Sequence, residues 1–377
     1  MTDDITMRAW AYLSRVAEPP NVLLNHYVAT VGPVTAAAEI KAGTSPVELA
    51  DCVEARRGVD CAAEDLDILD RRGGRLITGD AQEWPFLSFT AFNGKEVRKR
   101  RGWVPLVLWA VGPGALDDVA DRAAAIVGTR AATTYGEHVA ADLAAGLAEH
   151  DVSVVSGGAY GIDAAAHRAT LAADGMTVAV LAGGIDIPYP AGHAGLLGRI
   201  AESGLVLSEY PPGVRPARYR FLARNRLVAV LGGATVVVEA GLRSGAANTA
   251  SWAHAMGRVA CAVPGPVTSA ASSGCHHLLR QGAQLVTRAA EVIEIVGRAG
   301  ELAADPDRPR TALDGLTDQQ RQVYEALPRR GVLTVEQISA SSGLRVQSVL
   351  GPLAMLEIAG LAENREGRWG IARSVRG

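Results

Sequence analysis

The length and composition of the chain limit its class before any motif is considered. It has 377 residues, of which 48% are hydrophobic and 20% charged, and these values are typical of a globular protein of two or three domains and exclude a disordered chain. A formal net charge of −3 excludes a basic polyelectrolyte that coats nucleic acid, although a local basic pocket stays compatible with it. The acidic start and the lack of a long apolar run favour the cytoplasm. The four cysteines show neither metal-site nor disulfide spacing, so we expect them to be reduced and expect no metal site.

The first predicted region, residues 1–72, is a small helical domain. Apolar residues recur there at helical spacing, with breaks at Gly32 and Gly43. The segment VATVGPVTAAAEI is similar to half of a helix-hairpin-helix, in which a glycine turn presents N–H groups to a phosphate. A plain pair of packed helices explains the same pattern, and we prefer it because a Gly-Pro turn is common in helical domains.

The second predicted region, residues 73–298, has the pattern of an α/β domain. Short β-branched runs alternate with Ala-rich helical stretches, which predicts a Rossmann-like, doubly wound and mainly parallel sheet. The six predicted strands span residues 123–128, 152–156, 177–184, 205–209, 234–240 and 259–265.

The last two predicted regions are a linker at residues 299–314, rich in Pro and Asp, and a winged helix at residues 315–377. The order of helix, helix, turn, helix and two short strands predicts the winged helix. Its third helix would enter the major groove in a DNA reader, but only Arg345, Gln347 and Ser348 near its start are suited to base contacts. Winged helices also dock proteins, so both functions stay open.

The carboxyl ends of the predicted parallel strands are where a ligand should bind. Gly128, Thr129 and Arg130 follow the first strand and precede a helix whose free N–H groups attract anions. Similar Gly- and Ser-rich turns follow the second and fifth strands. The chain has neither a GxGxxG nor a GxxxxGK[ST] loop, so we expect no nucleotide cofactor. Asp163 and His167 lie four residues apart, and such a pair is more often structural than catalytic.

The stretch RYRFLARNRLVAV, residues 218–230, places four arginines within nine residues. A helix that begins near Phe221 would put Arg224 and Arg226 in its early turns, where the helix dipole disfavours cations by up to about 1 kcal/mol each. Glu209 or Glu239 would compensate one arginine, but the arginines outnumber the nearby acids. We therefore expect bound phosphate here, and we expect reversal of both charges to leave the fold intact. A second basic stretch, KEVRKRRGW at residues 95–103, is interpreted as a solvated charged face.

The motifs GTRAATTYG, SGGAYGIDAAAH, YPAGH, SEYPPG, FLARNR and VVEAGLRSGAANTA occur in the order and spacing of the DNA-processing protein A (DprA/Smf) family. The chain resembles that family over about residues 76–296. The resemblance implies a non-catalytic, homodimeric protein that binds and protects single-stranded DNA and helps load the RecA recombinase in natural transformation. It implies a dimer contact at residues 277–285. The DNA-binding residues that it implies are Gly128, Thr129, Arg130, Ser156, Gly157, Phe221, Arg224, Asn225, Arg226, Ser244, Gly245 and Thr249.

Two other functions compete with this expectation. The same scaffold occurs in phosphoribohydrolases that cleave nucleotides with Arg and Glu near the ribose. Glu239 and Arg243 would suit that role, but the chain lacks the PGGxGTxxE arrangement of those enzymes. The other alternative is an adaptor that recruits proteins through its winged helix.

Overall fold

The computed structural model describes residues 4–298, 300–301 and 313–372. The chain divides into two compact units, residues 1–304 and residues 305–377. The first unit contains both the N-terminal helices and the large sheet. Among the described residues, no helix has the length and apolar character required to cross a membrane.

The N-terminal part of the first unit is helical, as predicted. The Gly32–Pro33 turn joins the second and third helices, and Gly32 adopts φ 81°, a conformation that glycine accepts without steric cost. Trp10 and Leu13 of the first helix share an apolar cluster with Trp109 and Val111 of the sheet, so the helices are packed onto it. The five helices are α1 (Asp4–Val16), α2 (Val22–Val31), α3 (Pro33–Ala42), α4 (Val47–Val53) and α5 (Ala62–Asp70).

The sheet of the first unit has nine strands among the described residues. They are β1 (Gly74–Ile77), β2 (Leu108–Val111), β3 (Ala123–Val127), β4 (Ser153–Ser156), β5 (Thr177–Leu181), β6 (Leu205–Ser208), β7 (Ala234–Val237), β8 (Val259–Ala262) and β9 (Gln284–Leu285). Their order is β1-β2-β6-β5-β4-β3-β7-β8-β9. Strands β3 to β9 run parallel to one another, whereas β2 is antiparallel to both β1 and β6.

All six predicted strands are present and parallel, and the mainly parallel fold is confirmed. Several strands end one to three residues earlier than predicted. The residues that follow do not pair with a neighbouring strand and begin the loops instead. The sequence analysis missed β1, β2 and β9. Strand β2 does carry an apolar signal, but β9 has only two residues, both exposed.

Helices cover both faces of the sheet, as a doubly wound fold requires. The first unit adds α6 (Phe86–Phe89), α7 (Lys95–Lys99), α8 (Leu116–Asp121), α9 (Thr134–Ala148), α10 (Ile162–Ala172), α11 (Ala194–Ser203), α12 (Arg218–Leu231), α13 (Gly245–Ala255), α14 (Ser273–Arg280) and α15 (Ala289–Val296). Helices α12 and α13 pack on one face, and α9, α10 and α15 pack on the other. The strand order turns at β3, so the carboxyl ends of β3, β4 and β7 border one crevice.

The second unit has the predicted order of a winged helix. Its elements are α16 (Asp318–Ala326), α17 (Val335–Ser342), α18 (Val346–Ile358), β10 (Ala362–Arg365) and β11 (Arg368–Ile371). Thr317 and Thr334 each begin a helix with a capping box, in which a glutamine side chain returns the hydrogen bond. Trp369 of β11 packs with Leu353 and Leu356 of α18 in the core of this unit.

Candidate functional site

A cavity of about 650 Å³ opens at the crevice where the strand order turns. The loops after β3, β4, β5, β6 and β7 contribute to its wall, together with the N-terminal half of α12 and the start of α13. The structure brings ten of the twelve predicted residues to this cavity: Gly128, Thr129, Arg130, Gly157, Phe221, Arg224, Asn225, Ser244, Gly245 and Thr249.

The loop after β3 is held from two sides by main-chain contacts. The Thr129 N–H donates to the Glu239 carbonyl at 2.7 Å, and the Thr129 carbonyl accepts from the Ile162 N–H at 3.3 Å. Gly161, at φ 73°, passes so close that an added Cβ would lie 2.3 Å from the Thr129 oxygen. The loop therefore has a defined position, and Arg130 extends from it with its guanidinium 5.1 Å from the Phe221 ring.

Arg224 forms the floor of the cavity. Its Nη1 donates to the Gly157 carbonyl at 2.8 Å and also to the Val180 carbonyl. Gly157 is required for this approach, because a Cβ there would lie 2.5 Å from the guanidinium. Burial lowers the pKa of Arg224 to about 10, and the nearby charge of Asp163 opposes that change. The side chain is thus a buried cation at neutral pH.

Asp163 lines the cavity near Arg224 and does not pair with His167. Its carboxylate accepts N–H groups from Gly157 at 3.2 Å and from Ala159 at 3.3 Å, and burial raises its pKa. His167 instead contacts the Thr177 hydroxyl at 2.7 Å. Since that hydroxyl donates to a main-chain carbonyl, the imidazole is the donor. Burial lowers the pKa of His167 to about 3, so its role is that of a neutral core residue.

Helix α12 begins three residues earlier than predicted, at Arg218 rather than near Phe221. The residue before it, Ala217, provides no side-chain cap, so the sequence lacks the usual signal for this start. Arg218 and Arg220 consequently occupy the first turn. Arg224 and Arg226 lie beyond it, so the helix dipole does not disfavour them, contrary to expectation.

Arg226 is not part of the cavity, contrary to expectation. It is fully buried, and its Nη2 donates to Glu209 Oε1 at 2.5 Å while its Nε donates to the Trp103 carbonyl at 3.0 Å. Arg220 forms an ion pair with Glu18, in which its Nε lies 2.7 Å from Glu18 Oε1. Internal carboxylates therefore neutralise two of the four arginines. Reversal of Arg226 would place two carboxylates together in the core, so we expect it to destabilise the fold, contrary to the expectation from the sequence.

Ser156 is the other predicted residue that the cavity lacks. It is fully buried at the end of β4. Its hydroxyl donates to the Ile126 carbonyl at 2.6 Å, so it ties β4 to the neighbouring strand β3.

The N-terminus of α13 forms the wall opposite the β3 loop. Ser244 caps this helix, since its Oγ accepts the Ala247 N–H at 3.2 Å. Asn225 reaches across from α12 and donates to the Gly245 carbonyl at 3.3 Å and to Asn248 Oδ1 at 3.2 Å. Asn248 thereby fixes the orientation of Asn225.

Glu239 lies outside the cavity and does not face Arg243. It is buried, and it accepts the Thr133 N–H at 2.9 Å and the Thr133 hydroxyl at 2.7 Å. Arg243 is exposed. The pairing that a phosphoribohydrolase would need at the ribose is therefore absent from the lining of this cavity.

Ten lining residues were not among the predicted site residues, and Arg218, Leu222 and Tyr189 are the three with the largest exposed side chains. Arg218 belongs to the arginine-rich stretch, so its signal was present. Tyr189 comes from the loop after β5, and its ring lies 5.3 Å from that of Phe221. Only the fold brings that loop to α12.

Comparison with known proteins agrees with this architecture. A family model described as DNA recombination-mediator protein A matches residues 76–297, and a model of the DprA winged helix domain matches residues 306–368. The chain is 66% identical over 375 residues to the DNA processing protein DprA of Mycobacterium tuberculosis, which covers 99% of this chain and 96% of that protein.

Two solved structures are also similar. DprA from Streptococcus pneumoniae aligns with a TM-score of 0.62 at 29% identity, over 79% of this chain and 100% of that one. DNA processing protein A from Helicobacter pylori, whose structure is described as showing a single-stranded DNA binding mode, aligns with a TM-score of 0.50 at 28% identity, over 59% of this chain and 94% of that one. With matches that extend through both of its units, the chain belongs to the DprA/Smf family of DNA-processing proteins.

Proposed function

We propose that this protein binds single-stranded DNA in the cavity between α12 and α13, without catalysing a reaction on it. The observation that carries this proposal is the excess of cations at the cavity. Arg130, Arg218 and Arg224 line it, whereas Asp163 is the one carboxylate among the described lining residues. A positively charged groove with aromatic side chains is the usual arrangement for single strands.

Each part of the cavity lining has a role in this proposal. Arg130 and Arg218 are exposed and able to move onto phosphates, whereas Arg224 is a fixed charge at the floor. Gly245 and Ala246 lie in the first turn of α13, where helix N–H groups lack intrahelical partners and attract anions. The Phe221 and Tyr189 rings offer apolar surface to a base. The description of the Helicobacter pylori relative supports the choice of ligand.

The absence of catalysis is likewise a proposal, supported by how the ionisable groups are used. Asp163 accepts two main-chain N–H groups, and the Ser156 hydroxyl near it is fully buried and donates to the Ile126 carbonyl. The Glu239 carboxylate accepts a hydrogen bond from the Thr133 hydroxyl. The lining therefore offers phosphate contacts but no acid–base pair positioned to act on a substrate.

The remaining parts of the proposal are protection of incoming DNA, help in loading RecA during natural transformation, a cytoplasmic location and a homodimer. Family membership supports them. The segment 277–285 stays our proposal for the dimer contact. It includes the edge strand β9, where Leu285 is 53% exposed, and an exposed edge with an apolar residue is suited to association.

The test is neutralisation of the two exposed arginines, Arg130→Gln with Arg218→Gln. Two lost phosphate contacts at roughly 1.5 kcal/mol each correspond to about a hundredfold weaker binding of oligo-dT. The slope of log K against log salt should fall by about 1.4, at about 0.7 per phosphate. Fluorescence anisotropy over a salt series measures both quantities.

The matched control is Arg168→Gln with Arg199→Gln, which removes two exposed charges from α10 and α11. We expect that variant to bind like the wild type. Equal binding by the cavity variant and the wild type would overturn the proposal. Release of free base from a nucleoside monophosphate would instead support the phosphoribohydrolase alternative.

A further inference from the structure

A second basic surface lies outside the cavity, on α7 and the turn that follows it. We call it the α7 cluster. Glu96 is the one carboxylate in residues 95–103, and its Oε1 lies 2.6 Å from Lys99 Nζ. One acid against five cations leaves a strong local excess of positive charge. The cations are all exposed, and they are Lys95, Arg98, Lys99, Arg100 and Arg101.

The α7 cluster is held rigidly against α13. Arg100 Nη1 donates to the Ser251 carbonyl at 2.9 Å and to its hydroxyl at 2.8 Å, and its guanidinium lies 5.7 Å from the Trp252 ring. Gly102 allows this packing, because a Cβ there would lie 2.7 Å from the Trp252 ring. Arg101 adopts φ 56°, a conformation that costs a non-glycine residue roughly 1 kcal/mol or more. The backbone that carries these cations thus has a defined position.

The same two helices that form the cavity wall also contact the α7 cluster. Helix α13 begins at Gly245 in the cavity, and Ser251 is six residues further on, which is about 9 Å along the axis. On α12, Asn225 lines the cavity, and the next residue, Arg226, donates to the carbonyl of Trp103 at the end of the cluster. Neither helix contains an acidic residue. No carboxylate of α12 or α13 therefore separates the two positive surfaces.

We propose that a single strand held in the cavity continues along α13 onto the α7 cluster, where Lys95, Lys99 and Arg101 contact its phosphates. This inference rests on the proposed function of the cavity. A strand longer than the cavity must leave it across some surface, and five exposed cations beside two helices that contain no carboxylate form a surface that a phosphate backbone favours. The α7 cluster thereby lengthens the binding site.

The test compares the triple variant Lys95→Gln, Lys99→Gln and Arg101→Gln with the wild type. It keeps Arg98 and Arg100, which lie over indole rings, so that the packing is preserved. Two probes are used: oligo-dT of about 2 nucleotides, which is short enough to stay within the cavity at roughly 3.4 Å per nucleotide, and oligo-dT of about 20 nucleotides, which extends beyond it. On the long probe the slope of log K against log salt should fall by about 2, at about 0.7 per lost phosphate contact. On the short probe it should not change.

The matched control is Arg71→Gln, Arg168→Gln and Arg199→Gln, which removes three exposed charges elsewhere. An unchanged thermal midpoint of unfolding shows that each variant is folded. Equal slopes for the triple variant and the control on the long probe would overturn the inference and leave the α7 cluster to another partner, such as an acidic protein. Equal losses on both probes would also overturn it. Wild-type protein that binds neither probe would refute the proposed function itself.

Discussion

Arg224 and Arg226 point to opposite sides of α12, because two residues turn a helix by about 200°. Arg224 is bonded to main-chain carbonyls at the floor of the cavity, and Arg226 is paired with Glu209 in the core. The two were indistinguishable in the sequence, since both lie in one arginine-rich stretch. Arg226 is unavailable to the cavity because it pairs with Glu209, and only the tertiary structure places Glu209 against α12.

At this scale we predict that Arg226→Met destabilises the protein by about 3 to 5 kcal/mol, because it leaves the buried Glu209 carboxylate without its partner. Urea unfolding measures the change. Arg218→Met, at an exposed position of the same helix, should alter the free energy of unfolding by less than about 0.5 kcal/mol. Replacement of both partners, Glu209→Leu with Arg226→Met, should recover part of the loss. Equal stability of the two single variants would refute the role assigned to the ion pair.

The elements that form the site are loops at strand ends, and their positions depend on close backbone contacts. Gly161 precedes α10 and touches the carbonyl of Thr129 in the loop after β3. The sequence analysis located the Gly-rich turns correctly, because glycines after buried strands are a strong signal. It did not locate the start of α12, because no capping side chain marks it.

At the element scale we predict that Gly161→Ala weakens DNA binding and destabilises the fold. The residue has φ 73° and ψ −125°, a sparsely populated region that costs an alanine on the order of 1 to 3 kcal/mol, and the added methyl group would displace Thr129 and Arg130. Urea unfolding and oligo-dT binding measure the two effects. The control is Gly198→Ala in α11, where nothing lies within 4 Å of an added Cβ. That variant should gain about 0.5 to 1 kcal/mol, and a Gly161 variant that matched it would contradict the prediction.

The whole molecule divides into two compact units, residues 1–304 and 305–377, each with its own core. The cavity and the α7 cluster both lie in the first unit. The second unit has exposed polar residues at the start of α18, but Val346 and Leu350 are exposed beside them. A helix with this mixed surface is suited to a protein partner as much as to a DNA groove.

At the scale of the whole molecule we predict that a truncation after residue 304 folds cooperatively and binds oligo-dT like the full chain. The reason is that every residue of the cavity belongs to the first unit. Circular dichroism and the salt dependence of binding test this prediction. A smaller salt slope for the truncated protein would show that the winged helix supplies phosphate contacts.

The family, the parallel strands and the winged helix follow from the sequence alone, because strand periodicity, Gly-rich turns and motif order are local properties of the chain. Of the twelve site residues that the family resemblance implies, ten meet in the cavity. The tertiary structure determines which arginines remain available to bind phosphate. Ion pairs form between residues far apart in sequence, such as Arg220 with Glu18 and Arg226 with Glu209. The α7 cluster lies beside α13 only in the folded protein, because Gly102 packs on Trp252 and Arg100 donates to Ser251.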